Sequence, residues 1–157
     1  MKYMLDTNIC IYAIKNKPKE VIKHILSHKS DELCISAISY GELMHGVEKS
    51  TYREKNYLAL SLFLSSITIL QFDGIAAEKY GLVRAGLETM GTPIGPMDTL
   101  IAAHALSKDL ILVTNNTREF CRVAGLELED WTIACCYYKS DREEKPLPNT
   151  SLVLIKD

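Results

Sequence analysis

Short continuous apolar runs alternate with amphipathic stretches along most of this chain. Residues 3–5, 33–35, 67–70 and 110–113 are apolar or β-branched runs bounded by polar residues, the pattern of strands covered on both faces. Between them, apolar residues recur at three and four positions, as in helices that bury one face. One such stretch starts near Asn8. A second opens at Pro18 and puts Val21, Ile22, Ile25 and Leu26 on one side. Residues 36–47 predict a third helix, capped at Ser36 or Ser39, and residues 52–65 a fourth. Asp73 caps a stretch through Ala76, Tyr80, Val83 and Leu87 that stops before Gly91. After a stiff turn over 91–96, residues 98–107 form an Ala-rich helix, and residues 118–123 a short one beyond a 114–116 loop. Strand, helix and strand in this order predict βαβ units, an α/β fold with a parallel sheet.

Composition narrows the class. The chain has 157 residues, with 18 Lys+Arg against 20 Asp+Glu, enough for one self-sufficient core and too few for two. Its five cysteines (Cys10, Cys34, Cys121, Cys135 and Cys136) are odd in number, without a CxxC pair or zinc-ligand spacing to the four histidines. That excludes a disulfide scaffold. Asp6 interrupts the first apolar run, so no secretory leader is expected, and no run approaches the ~18 residues of a membrane helix. The compartment predicted is a reducing cytoplasm. Near-neutral charge argues against holding nucleic acid by bulk electrostatics alone. A local strip, Lys15, Lys17, Lys19, Lys23 and Lys29 with only Glu20 inside it, can still touch phosphates. After Trp131 the composition changes. Residues 141–150 are charged and Pro-interrupted and 151–155 read as a stray strand, so 133–157 are read as a C-terminal extension with the composition of disordered linkers, outside a 1–132 domain. Tyr137 and Tyr138 offer stacking rings there.

In an open parallel sheet, ligands bind beyond the carboxyl ends of the strands. Asp6 sits at such an end, Asp98 opens a helix, and Asn115 and Asn116 follow the fourth strand. In the third helix Tyr40, Leu43, Met44 and Val47 share a core face. Glu42 falls nearly opposite, beside Ile38 and His45, flanked by Gly41 and Gly46, which leave room for a backbone or a ligand. Three acids can therefore converge on one sheet edge. Gathered carboxylates raise one another's pKa unless a cation sits between them. Oxygen donors without Cys or His favour a hard ion, Mg²⁺ or Mn²⁺. Taken singly, Asp6 and Asp98 also read as helix N-caps, Glu42 as a solvated face, and His45 and His104 as packed or exposed rather than ligands. Two other readings stay open on the residues alone. A HAD-like phosphatase needs a second Asp where Asn8 stands, and a catalytically silent binding module would dock through Ile9, Ile11 and Tyr12.

Four blocks, residues 4–9 (MLDTNI), 35–43 (ISAISYGEL), 94–105 (IGPMDTLIAAHA) and 112–120 (LVTNNTREF), together resemble a PIN-domain ribonuclease. More narrowly they are similar to the VapC toxins of bacterial type II toxin–antitoxin modules, and residues 127–131 resemble that family's ending. The resemblance covers residues 1–132; the 133–157 extension departs from it. It implies a three-layer α/β/α sandwich with a mainly parallel sheet. It also implies a Mg²⁺-dependent endoribonuclease that cuts RNA, commonly tRNA in a single-stranded loop, and so inhibits translation. Asp6, Glu42 and Asp98 match the family's acidic metal ligands. The fourth acidic position falls on Asn116, whose amide offers an oxygen but no charge, which puts a second ion in doubt. Thr7, Asn8 and Thr114 match positions that line the site. Arg84 is a candidate for pairing with a phosphate or an acid, and Lys15 and Lys17 for contacting substrate. The family further implies a homodimer, neutralisation by a VapB-type antitoxin, and contact with operator DNA through that antitoxin.

Overall fold

The computed structural model of the chain describes residues 1–133; from 134 onward the extension, with Cys135, Cys136, Tyr137 and Tyr138, lies outside the described residues. The strands β1 (Tyr3–Leu5), β2 (Leu33–Ser36), β3 (Thr68–Leu70), β4 (Ile111–Val113) and β5 (Leu128–Glu129) form one sheet in the order β3-β2-β1-β4-β5. Every pairing is parallel. Helices α1 (Thr7–Lys15) and α2 (Lys19–Ser27) join β1 to β2, and α3 (Ala37–Glu48) and α4 (Arg53–Leu64) join β2 to β3. Helices α5 (Gly74–Thr89) and α6 (Pro96–Ser107) lead to β4, and the one-turn α7 (Thr117–Phe120) to β5.

Period-two alternation along the strands sorts the core into two layers. Tyr3, Leu5, Leu33, Ile35 and Val113 pack with Ile9, Val21, Leu43, Val47 and Leu60 from α1 to α4. Met4, Cys34 and Leu112 point the other way, onto Leu87 of α5, Ile101, Ala102 and Ala105 of α6, and Phe120 of α7. Right-handed crossovers require this division. The chain walks outward from β1 to β3 under one set of helices, then returns past β1 to β4 and β5 under the other. The order therefore reverses beside β1, and the β1/β4 boundary is the topological switch point where ligand crevices form.

Several local expectations change. The sheet gains β5, held by the Leu112 and Thr114 amides donating to the Glu127 and Glu129 carbonyls, both at 2.9 Å. Leu26 is 75% exposed and takes no part in the apolar face of α2. At that end of the helix, His24 and His28 stack on the Trp131 ring with centroids 5.2 and 5.1 Å away. Ser36, not Ser39, caps α3, its Oγ accepting from the Ile38 amide at 3.1 Å. Helix α6 begins at Pro96 with Gly95 as its cap, so Asp98 lies within the first turn instead of opening the helix. Helix α7 spans Thr117–Phe120, and a 3₁₀ turn, Ser30–Glu32, precedes β2.

Candidate active site

The site is built at the switch point. Leu5 and Val113 are register partners, and the next residue on each strand is a polar one, Asp6 and Thr114. Both are buried. Asp6 caps α1, and its Oδ1 accepts from the Thr7 amide at 2.7 Å. Its Oδ2 accepts from the Thr114 hydroxyl at 2.8 Å. Thr114 Oγ1 in turn accepts from the Asn116 amide at 3.0 Å, so its one hydrogen is committed to Asp6. Thr7 completes the link to α3, its hydroxyl donating to Glu42 Oε2 at 2.5 Å. Four residues from three distant parts of the chain thus form one hydrogen-bonded line.

Asp98 approaches from the other layer. It is half-buried, and a Cβ placed on Gly95 would stand 3.2 Å from its Oδ2, so glycine leaves that carboxylate its room. Burial, then the charges of Asp6, Glu119 and Glu42, push its pKa up to about 6. Burial also raises Asp6; the Thr114 and Thr7 hydrogen bonds oppose the rise, and the Glu42 charge adds to it. Among the described residues the ion pairs are Arg53–Glu48, Arg84–Glu88 and Lys108–Asp73, so no basic side chain neutralises Asp6, Glu42 or Asp98.

This donor set, carboxylate oxygens without a counter-charge, fits a hard divalent cation in its chemistry. Among the described residues no three acidic, histidine or cysteine side chains surround a common point closely enough to hold an ion. The acids share one electrostatic neighbourhood without forming a ligating array.

The remaining candidates divide. Asn116 precedes α7 with its side chain uncommitted to capping, beside the site through its bond to Thr114. Gly41 and Gly46 line clefts on the two sides of Glu42, and nothing lies within 4 Å of a Cβ built on either. Lys15 shares the Gly46-side cleft with Glu42, while Lys17 is exposed beyond α1. Asn8 is exposed. Arg84 is engaged within α5, its Nε 2.8 Å from Glu88 Oε1 and its Nη1 donating to the Tyr80 hydroxyl at 2.9 Å. Ile9 is fully buried in the core, which removes it from any docking surface; Ile11 and Tyr12 remain half-buried. His45 is exposed and His104 buried. Sequence reasoning missed Glu119, the third residue of α7, whose charge acts on Asp98. Its signal was available as an acid in the first helical turn after a strand's carboxyl end.

Comparison with known proteins identifies the family. The model of the PIN domain matches residues 3–126. A Shigella flexneri protein named tRNA(fMet)-specific endonuclease VapC is 48% identical over 132 residues, which is 84% of this chain and 99% of that protein. Its Salmonella typhimurium namesake is 47% identical over 131 residues, 83% of this chain and 98% of that one. Among solved structures, VapBC2 from Rickettsia felis bound to a promoter DNA fragment matches with a TM-score of 0.79 and 41% identity, over 83% of this chain and 99% of that one. DNA-bound VapBC from Salmonella typhimurium matches with a TM-score of 0.80 and 45% identity, over 83% and 98%. On these matches and its parallel sheet, the chain belongs to the PIN-domain family, among the VapC ribonucleases.

Proposed function

We propose that this chain is an endoribonuclease toxin that requires a divalent cation, Mg²⁺ or in its place Mn²⁺, and cleaves tRNA, foremost tRNA(fMet), in a single-stranded loop. The observation that carries this reading is the Thr114–Asp6–Thr7–Glu42 line with Asp98 beside it and no basic side chain to balance the three carboxylates. Asp6, Glu42 and Asp98 would hold the ion, with Asn116 and Glu119 at its border. Bound there, a divalent cation lowers the pKa of a water and offsets charge on the phosphate and the leaving oxygen.

The chain's own residues supply the rest. Thr114 and the Thr7 amide fix both oxygens of Asp6, and the Thr7 hydroxyl ties Glu42 to the residue next to Asp6. A water attacks phosphorus in line and the 3′-oxygen leaves, so products carry 5′-phosphates. Lys15, at the cleft beside Glu42, and Lys17 draw in the RNA backbone. Single strands are favoured because their backbone can enter clefts that a duplex cannot. Loss of tRNA(fMet) arrests translation, which places the protein's action in the cytoplasm. The VapBC relatives support a VapB-type antitoxin as its neutralising partner, operator DNA reached through that antitoxin, and a homodimer within the complex. A HAD-like phosphatase would need a carboxylate at Asn8, and a silent docking module would have to dock through Ile11 and Tyr12 without the buried Ile9.

The test is cleavage of purified tRNA(fMet) beside an elongator tRNA. We expect one 5′-phosphate-terminated cut in tRNA(fMet) with Mg²⁺ and none with EDTA. Asp6→Asn and Asp98→Asn should each lower the rate at least about a hundredfold, since even residues that only orient metal ligands cost 10–100-fold. Activity indifferent to EDTA, or undiminished in both variants, overturns the reading.

A further inference from the structure

His104, in the last turn of α6, has no part in the reaction above, yet it is 0% exposed. Its Nδ1 lies 2.9 Å from Ser36 Oγ, the same oxygen that accepts the Ile38 amide and caps α3. Burial, then the Lys108 charge, lowers the imidazole's pKa, against Asp73 and the Gln71 backbone, so the ring is neutral at pH 7. The Ser36 hydroxyl then donates its hydrogen to Nδ1, and the ring proton resides on Nε2; this tautomer follows from the partners. Nε2 is buried and makes no well-formed hydrogen bond, although the ring lies within reach of the Gln71 backbone; the Phe72 ring stands edge-on at a centroid distance of 5.4 Å.

The placement is informative. Ser36 stands six residues before Glu42 on α3, and His104 six residues after Asp98 on α6. Leu43 and Val47 of α3 pack in one layer of the core and Ile101, Ala102 and Ala105 of α6 in the other; α3 meets that second layer through Ile38, two residues from Ser36, so the two helices approach each other near the start of α3. An apolar side chain at 104 would avoid the cost of burying a ring nitrogen that makes no well-formed hydrogen bond. It would not give the start of α3 a directional bond to α6. We infer that the Ser36–His104 hydrogen bond is a positioning tie between the two acid-bearing helices, setting the separation of the Glu42 and Asp98 carboxylates. This rests on the proposed metal-dependent reading of those acids.

The test compares His104→Leu, His104→Gln and His104→Asn with the parent full-length chain. Leucine removes the tie. Glutamine reaches the place of Nε2 and leaves Ser36 unpaired, whereas asparagine puts an acceptor oxygen where Nδ1 was. In Mn²⁺ titration calorimetry the Leu and Gln variants should bind about tenfold more weakly, the lower end of the range for residues that orient metal ligands. Their kcat should fall by a similar factor with KM for tRNA unchanged, while His104→Asn stays close to the parent. Ser36→Ala combined with His104→Leu should be no worse than the weaker single variant, as for partners in one interaction. Parent-like Mn²⁺ affinity in folded His104→Leu, equality of Gln and Asn, or additive effects in the double variant would each overturn the tie. If His104→Leu does not fold, the Gln and Asn pair decides alone. Should the parent neither bind Mn²⁺ nor cut tRNA, the proposed function falls. The tie is then read separately from hydrogen exchange at the Ile38 amide, which quickens in the Gln variant but not in the Asn variant if the bond holds the helix start, and is equal in both if it does not.

Discussion

Asp6, at the end of β1, is almost wholly buried and receives two hydrogen bonds; Asp98, in the first turn of α6, is half-buried and receives none among the described residues. Burial raises both carboxyls, but donors from Thr114 and Thr7 oppose it at Asp6, whereas three neighbouring acids reinforce it at Asp98. The β1–β4 side of the site is thus organised by hydrogen bonds that exist before any ligand arrives. The α6–α7 side is held in tension by like charges. The difference shows two ways of preparing carboxylates for a cation: fixing one in advance, and leaving another with charge that a cation would relieve.

The largest effect is expected from breaking the organised side. Thr114→Val keeps the shape of a fully buried residue but strands Asp6 Oδ2 and the Asn116 amide. Each unsatisfied buried group costs about 1–3 kcal/mol, so urea denaturation should register a clear loss of stability. Cleavage should drop about 10–100-fold, as for partners that orient a metal ligand, and Thr114→Ser should recover most of it. A valine variant cutting tRNA at the parental rate would erase the contrast between the two sides.

The reasons why sequence reached one side better than the other are physical. Asp6 and Asp98 could be placed from the sequence because topology puts strand ends and helix starts at one edge, and Glu42 from its face of α3; the continuous apolar runs of β1, β2 and β4 had already announced a sheet covered on both faces. Thr7 and Thr114 entered through family resemblance alone; the Thr114–Asp6 bond depends on the β1–β4 register and the Thr7–Glu42 bond on the approach of α1 to α3, which no local pattern encodes. Glu119 was hidden because α7 is a single turn whose start lies at Thr117, one residue earlier than its apolar pattern suggests. Strand β5 has two residues, too few for a period, and exists because β4 offers it amides. Leu26 misled because the partner that selects a face of α2 is Trp131, more than a hundred residues away.

A second measurement sharpens the tension at Asp98. Its folded pKa of about 6 lies above the ordinary 3.8, so between those values the native state binds the proton more firmly than the unfolded chain. The stability that Asp98 contributes without metal is therefore fully present below about pH 4 and is lost as pH rises through 6; Asp6, also raised, adds the same sign. Scanning calorimetry in EDTA should show Tm falling over that interval, and Asp98→Asn should flatten the fall. Millimolar Mg²⁺ should restore Tm above pH 6, because an ion bound to the native state alone stabilises it. A Tm that climbs with pH across the interval in EDTA would contradict the direction given for both acids.

The smallest effect isolates one member of that repulsion. Glu119→Gln keeps the size of the side chain and removes a charge that, after burial and Asp6, raises Asp98. In the metal-free protein, the carboxyl carbon resonance of Asp98 should then titrate at a lower pH than in the parent. The displacement should shrink as salt is added, because Asp98 and Glu119 are both half-exposed and open to screening. At pH 8, where Asp98 is ionised in parent and variant alike, cleavage should change by less than about twofold, well under the cost of losing an orienting partner. The two readings separate charge from ligation: a lowered titration with retained cleavage makes Glu119 a source of field alone. A loss of Mn²⁺ affinity comparable to that of Asp98→Asn would instead make it a ligand, supplying the fourth carboxylate that Asn116 lacks.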